Sequence, residues 1–186
     1  MEISPGDRKH QVFKKGVAAL KDAGIENPAL DAAVLLGHVL GESPSVVLMD
    51  KGAILAAAET AQYNVLVQKR CGRATVSRLV GSREFYSSDF YVNEDVLDPR
   101  PETEILVEEA IRCLEGLEGL EGSPAVLDIG TGSGAIAVTI AARIPKAHIT
   151  ATDISMTALA VAMRNAERHA VQGRVNFVQA DLLDGF

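Results

Sequence analysis

The sequence predicts an α/β protein in which a bundle of helices precedes the opening strands of a doubly wound parallel sheet. Residues 126–134 read Val-Leu-Asp-Ile-Gly-Thr-Gly-Ser-Gly, an apolar run that closes on an acid and three alternating glycines, as a strand does on entering a tight loop. Residues 135–142, Ala-Ile-Ala-Val-Thr-Ile-Ala-Ala, supply the helix that this loop opens. The alternation then repeats: a strand at 148–152 ending at Asp153, a helix at 156–170, and a strand at 175–179 ending near Asp181. A β-α-β-α-β order implies parallel strands joined by right-handed crossovers.

The whole-chain numbers agree with this class. At 186 residues, 47% hydrophobic and 23% charged, the chain has globular composition and length for one ordinary domain or two small ones. Apolar runs such as 32–36 and 135–142 fall far short of the ~20 residues a membrane span needs. The first ten residues place charges and Pro5-Gly6 where a signal peptide carries its apolar core, so a cytoplasmic location and no membrane partner are expected. Cys71 and Cys113 lack CxxC spacing, and His10, His38, His148 and His169 lack ligand spacing, so reduced thiols and no metal site are expected. A net charge of −7 weighs against a broad basic face for direct nucleic-acid binding.

Taken in order, Phe13, Val17 and Leu20 recur at helical spacing from 11 to about 23, and Gly24 is placed to end that helix. Asn27-Pro28 then starts a second, with Leu30, Val34 and Gly37 on one face until Gly41 stops it. Ser43-Pro44 opens a short helix through Met49, and Ile54, Ala58, Ala61 and Val65 give a fourth from about 54 to 71. Residues 1–72 are thus read as a helical domain. Residues 73–98 read as a β-hairpin linker: 76–80 and 83–86 are β-prone, Ser87-Ser88-Asp89 is the turn, and 90–92 return. In Asp98-Pro99-Arg100-Pro101 each proline pushes its predecessor out of the α region, so the next helix starts after Pro101. Val107, Ile111 and Leu114 give it an apolar stripe, and Glu102 and Glu104 complement its positive end. Three Leu-Glu-Gly triplets over 114–122 read as a flexible surface connection inside the sheet domain, 99–186.

The glycine loop is the candidate site. Glycine permits positive φ and removes the Cβ that would hold a ligand away, while the following helix offers free N–H groups. Ligands of open α/β sheets bind beyond the carboxyl ends of the strands, where Asp128, Asp153 and Asp181 fall in succession. Asp153 stands where such folds place an acid on ribose hydroxyls, although a helix cap for 155 onward also fits. Asp181 suits an adenine amino group or a plain cap, and Asp128 suits bracing of the loop. The run Gly130-Thr131-Gly132-Ser133-Gly134-Ala135 satisfies both a dinucleotide fingerprint of the GxGxxA kind and the D-x-GxGxG loop of S-adenosylmethionine enzymes.

Upstream, Gly81-Ser82-Arg83-Glu84-Phe85-Tyr86, Phe90-Tyr91-Val92 and Val96-Leu97-Asp98-Pro99-Arg100-Pro101-Glu102-Thr103-Glu104 narrow the choice. Together with Leu-Asp-Ile-Gly-Thr-Gly-Ser-Gly-Ala-Ile-Ala they resemble the signature of the HemK-type peptide chain release factor N(5)-glutamine methyltransferases, whose pattern is close to GxxEFYG…F.V…VLIPRPETE. The resemblance runs from about residue 30 to 186. It implies a Rossmann-like class I methyltransferase fold and transfer of a methyl group from S-adenosyl-L-methionine to the glutamine amide of the Gly-Gly-Gln motif of release factors. It also implies donor binding by Gly130, Thr131, Gly132, Ser133, Gly134, Asp128 and Asp153, with Asp181 and Leu182 bordering adenine and Arg100, Pro101 and Glu102 lying close by. The helical domain would help receive the release factor.

The pattern is incomplete in three places. The family positions its acceptor amide with an Asn-Pro-Pro-Tyr loop after a fourth strand, and no such run occurs among these residues, so no catalytic residue is assigned. Asp98 stands where the family has an apolar residue, and 75–81 lacks the usual Pro…Tyr-Ile pattern. The expectation is therefore a sheet incomplete at its C-terminus, the first part of a longer enzyme or the product of a shortened gene, and inactive alone. The alternatives are a methyltransferase of a ribosomal-protein glutamine or a nucleobase amine, an NAD-dependent dehydrogenase, or a non-catalytic fragment that binds donor or partner.

Overall fold

The computed structural model describes residues 6–49, 52–116 and 123–184, which fall into two compact units, Met1–Val80 and Gly81–Phe186. Most of the Leu-Glu-Gly run lies outside the described residues; Leu114–Gly116 end a helix.

The first unit is helical: α1 (Lys9–Asp22), α2 (Pro28–Leu40), α3 (Pro44–Met49), α4 (Ala57–Cys71) and α5 (Val76–Val80). Its core gathers Val12, Leu20, Leu35, Leu36, Tyr63 and Val67. Two expected faces are wrong. Leu30 of α2 is 61% exposed, while Ala32, Leu35 and Leu36 are buried, because α2 is apolar nearly all round and its periodicity does not choose a side. In α4 the Ala58, Ala61 and Val65 stripe faces solvent, and Thr60, Tyr63, Leu66 and Val67 face the core. Tyr63 is fully buried, its hydroxyl donates to the Ala32 carbonyl at 3.4 Å, and burial pushes its phenol pKa upward. Residues 76–80 are a helical turn rather than a strand. Their β-branched residues are outweighed by the i, i+3, i+4 placement of Val76, Leu79 and Val80 on the same core, with Thr75 accepting from the Arg78 N–H.

The second unit begins with the hairpin β1 (Ser82–Phe85) and β2 (Ser88–Tyr91). Its inward residues Phe85 and Phe90 meet edge to face at 5.9 Å inside the core of this unit, so the hairpin read as a linker packs as part of it. The turn is also displaced from its expected place: Tyr86 and Ser87 are its central residues, both at positive φ, 51° and 57°. That backbone is the type I′ form, which normally takes Asn-Gly. Each left-handed non-glycine residue costs ~1–2 kcal/mol, so Ser87→Gly is expected to raise stability by about 1 kcal/mol once the larger entropy of glycine in the unfolded chain is set against the relief. Urea denaturation midpoints of the two proteins measure this.

Then follow α6 (Glu102–Gly116), β3 (Ala125–Ile129), α7 (Ala135–Arg143), β4 (His148–Asp153), α8 (Met156–Arg168) and β5 (Val175–Gln179). The strands run parallel in the order β3-β4-β5, in a register that pairs Asp128 with Ala151 and Asp153 with Gln179. Ile149, Ala151 and Val175 meet α7 and α8 on one face. Among the described residues β3 is an edge strand, with Leu127 40% and Ile129 42% exposed. Because all strands point the same way, their acidic ends collect on one rim.

Candidate functional site: the glycine loop at the strand ends

The loop leaves β3 at Gly130 and enters α7 at Gly134. Gly130, Gly132 and Gly134 all have positive φ, 72°, 55° and 78°, so every second residue takes a backbone that side chains resist. The Thr131 N–H donates to the Thr152 carbonyl at 2.8 Å, and the Gly134 N–H donates to the Thr131 carbonyl at 2.8 Å, which fastens the loop to β4 and closes it on itself. A Cβ on Gly130 would meet nothing within 4 Å, and one on Gly132 only the Gly130 carbonyl at 4.0 Å, so this side is open to a ligand. Gly134 is the opposite case: a Cβ there would lie 2.9 Å from the Ala162 Cβ, so glycine lets α7 and α8 approach.

Asp153 faces the loop from the end of β4. Its Oδ2 accepts from the Gly132 N–H at 2.9 Å and its Oδ1 from the Ser155 N–H at 3.0 Å, leaving further lone-pair positions on both oxygens. The carboxylate therefore braces the start of α8 and at the same time sits against the glycines. The side-chain cap of α8 is Ser155, which accepts from the Ala158 N–H at 3.2 Å.

Asp128 is buried and braces the loop from beneath. Its Oδ2 accepts from the Thr131 hydroxyl at 2.7 Å, and the Ala137 N–H also donates to it. Burial raises its pKa, the bonds from Thr131 and Ala137 oppose that, and the Asp153 charge adds to the rise. A carboxyl whose native pKa exceeds its unfolded value favours folding most when protonated, below the unfolded value of about 3.9, and loses that contribution as pH rises through the native pKa. The wild type is therefore expected to gain stability relative to Asp128→Asn as pH is lowered from about 7 toward about 4, read from urea midpoints of both proteins at each pH.

Asp181 and Leu182 follow β5. The Ala180 N–H donates to the Asp153 carbonyl at 3.1 Å and the Gln179 amide to the Ile154 carbonyl at 2.9 Å, which ties this segment beside the end of β4. Both residues are exposed, and Leu182 has φ 53°. Arg100, Pro101 and Glu102 are exposed at the start of α6. Within that element Glu104 makes the defining contact, its Oε1 accepting from the Tyr86 N–H at 2.9 Å, so it joins the Pro-Arg-Pro-Glu-Thr-Glu element to the hairpin turn.

Asn165, Tyr91 and Ala162 complete the surroundings of the loop and are not among the candidates that the motifs single out. Asn165 falls in the apolar stripe of α8, with Ala158, Val161, Ala162 and Ala166, and a polar residue in that register is the signal that points to it. Among the described residues no cluster of His, Cys, Asp or Glu could hold a metal, and no helix is long and apolar enough to cross a membrane.

A parallel β-α-β-α-β unit with a left-handed glycine loop against a strand-end acid defines a Rossmann-like α/β domain, here preceded by a helical unit. Comparison with known proteins specifies it further. Residues 11–81 match the PrmC N-terminal domain and residues 108–186 the methyltransferase small domain. The release factor glutamine methyltransferase of Chlorobaculum tepidum is 41% identical over 93% of this chain and 59% of its own. That of Rhodopirellula baltica is 47% identical over 87% of this chain and 55% of its own. The chain is thus similar to release factor glutamine methyltransferases over most of its own length and spans a little over half the length of these relatives. Among solved structures, a SAM-dependent methyltransferase from Geobacter sulfurreducens in complex with S-adenosyl-L-homocysteine is 34% identical over 39% of this chain and 29% of its own, with a TM-score of 0.32.

Proposed function

We propose that the chain binds S-adenosyl-L-methionine on its glycine loop and serves, within a full-length enzyme, the methylation of the Gly-Gly-Gln glutamine of a peptide chain release factor. One observation carries the donor reading: the open, left-handed face at Gly130 and Gly132 lies against the Asp153 carboxylate, which retains acceptor positions for hydroxyl groups. The relatives, named release factor glutamine methyltransferases, support the substrate. Gly130 to Gly134 and Asp153 would hold the donor, with Asp128 setting the loop and Asp181 and Leu182 beside adenine; Arg100, Pro101 and Glu102 would lie near it.

The bound donor supplies a sulfonium-activated methyl group. An amide nitrogen is a weak nucleophile because its lone pair is delocalised, so an acceptor glutamine must be placed in line with that methyl and must lose a proton during transfer. The rim described above orients a donor, and no Asn-Pro-Pro-Tyr run occurs in the sequence to orient an acceptor. The 186 residues alone are therefore expected to bind donor and to methylate little or nothing.

Titration calorimetry tests the reading. Heat from S-adenosylmethionine is expected, whereas heat from a nicotinamide dinucleotide with none from S-adenosylmethionine would overturn it. Mass spectrometry of a release factor incubated with chain and donor tests the second part, and a methylated Gly-Gly-Gln peptide would show that these residues suffice.

A further inference from the structure

The geometry points to Asn165 as a positioning residue that ties the glycine loop to the hairpin, so that a ligand bound on the loop also steadies β2. The inference rests on the donor reading only for its ligand. Asn165 is fully buried. Its Oδ1 accepts from the Tyr91 N–H at 2.7 Å, and its Nδ2 donates to the Tyr91 carbonyl at 2.9 Å and the Ser133 carbonyl at 2.8 Å. Both amide hydrogens and one oxygen lone pair are thus used, and the partners fix the orientation of the amide, since two carbonyls need donors and one N–H needs an acceptor.

These bonds reach far along the chain, 74 residues to Tyr91 and 32 to Ser133, and they join three elements at one atom group. Ser133 is itself buried, between the two glycines that bound the α7 end of the loop. Tyr91 ends β2, where its ring carries the Arg164 guanidinium at 3.6 Å and its neighbour Val92 is buried against Ala158 and Val161 of α8. A loop of left-handed glycines has little stiffness of its own. The Asn165 amide supplies a fixed point for Ser133 and links it to a strand outside the parallel sheet. Side chains that hold a binding loop through its backbone act by preorganisation, and loosening them weakens binding without touching the ligand.

The experiment compares wild type, Asn165→Ala, Asn165→Asp and the core control Ile140→Val. It uses calorimetry with S-adenosylmethionine and hydrogen-exchange mass spectrometry with and without it, with circular dichroism to confirm folding. In the wild type, donor is expected to slow exchange in 130–134 and also in 88–92. In Asn165→Ala, donor affinity should fall about tenfold, and donor should slow exchange in 130–134 alone. Asn165→Asp, which keeps the acceptor for Tyr91 and loses both donated bonds, should also leave 88–92 unresponsive. Ile140→Val should keep the wild-type response, which separates loss of coupling from general loss of stability. Unchanged affinity with 88–92 still responding in both Asn165 variants would overturn the inference. If the wild type binds no donor, the donor reading fails, and the ligand-free chains decide the rest: Asn165→Ala must speed exchange in 88–92 and 130–134 together, and separate behaviour overturns the tie.

Discussion

Replacing Gly134 by alanine is expected to destabilise the second unit by about 3 kcal/mol and to abolish its ability to hold a donor. Two terms contribute. The residue sits at φ 78°, where a Cβ costs ~1–2 kcal/mol. The same Cβ would lie 2.9 Å from the Cβ and 3.1 Å from the Cα of Ala162, a fully buried residue whose backbone cannot swing away, and overpacking of this kind costs ~1–3 kcal/mol. The helices must then part, and parting them moves Ser133 and Ala135 on either side. Urea unfolding of Gly134→Ala measures the loss. The double variant Gly134→Ala with Ala162→Gly is expected to recover part of the share due to the clash, since the Cα at 162 stays 3.1 Å away, and none of the share due to φ. A single variant as stable as its parent would mean that α7 and α8 are not in the contact described.

The second large effect is expected at Asp153. Alanine there removes the acceptor of the Gly132 N–H and of the Ser155 N–H together with the carboxylate that bonds the loop backbone at the β4 end of the rim. Donor affinity is expected to fall about 100-fold, equivalent to ~2.7 kcal/mol, because hydrogen bonds to a charged group are worth about 1.5–3 kcal/mol each. Asp153→Asn keeps one carbonyl acceptor and should fall between the two. The fold should survive in both, since Ser155 still caps α8 through Ala158. Calorimetric affinity within about twofold of wild type for the alanine variant would remove Asp153 from the donor site.

Much of this arrangement was legible in the sequence. The β-α-β-α-β order follows from segments whose apolar period and punctuation agree, and the loop follows from three glycines placed where the backbone turns left-handed. The faces of α2 and α4 were not legible. An apolar helix such as α2 gives no moment to choose a side, and in α4 the decisive residues are Thr60 and Tyr63, whose burial depends on partners such as Ala32. Over Val76–Val80, β-branched residues suggest strand where tertiary packing selects a helical turn. At the hairpin, sequence favours Ser-Ser-Asp as the turn, and the strain borne by Tyr86 and Ser87 has no local signature. Asn165 was invisible as a site residue because its partners lie 74 and 32 residues away, although its position in an apolar stripe marked it as a buried polar group in need of them.

The bond from the Tyr86 N–H to Glu104 carries an evolutionary consequence. Tyr86 holds a left-handed backbone that its own side chain disfavours, with the Arg143 guanidinium 4.9 Å from the centre of its ring, and the Glu104 carboxylate helps to keep it there. A chain with an easier turn at 86 and 87 has less need of an acid eighteen residues later, and a chain that loses the acid has more need of the easier turn. The two motifs are therefore expected to drift as a pair, each substitution at one position changing which residues are tolerated at the other.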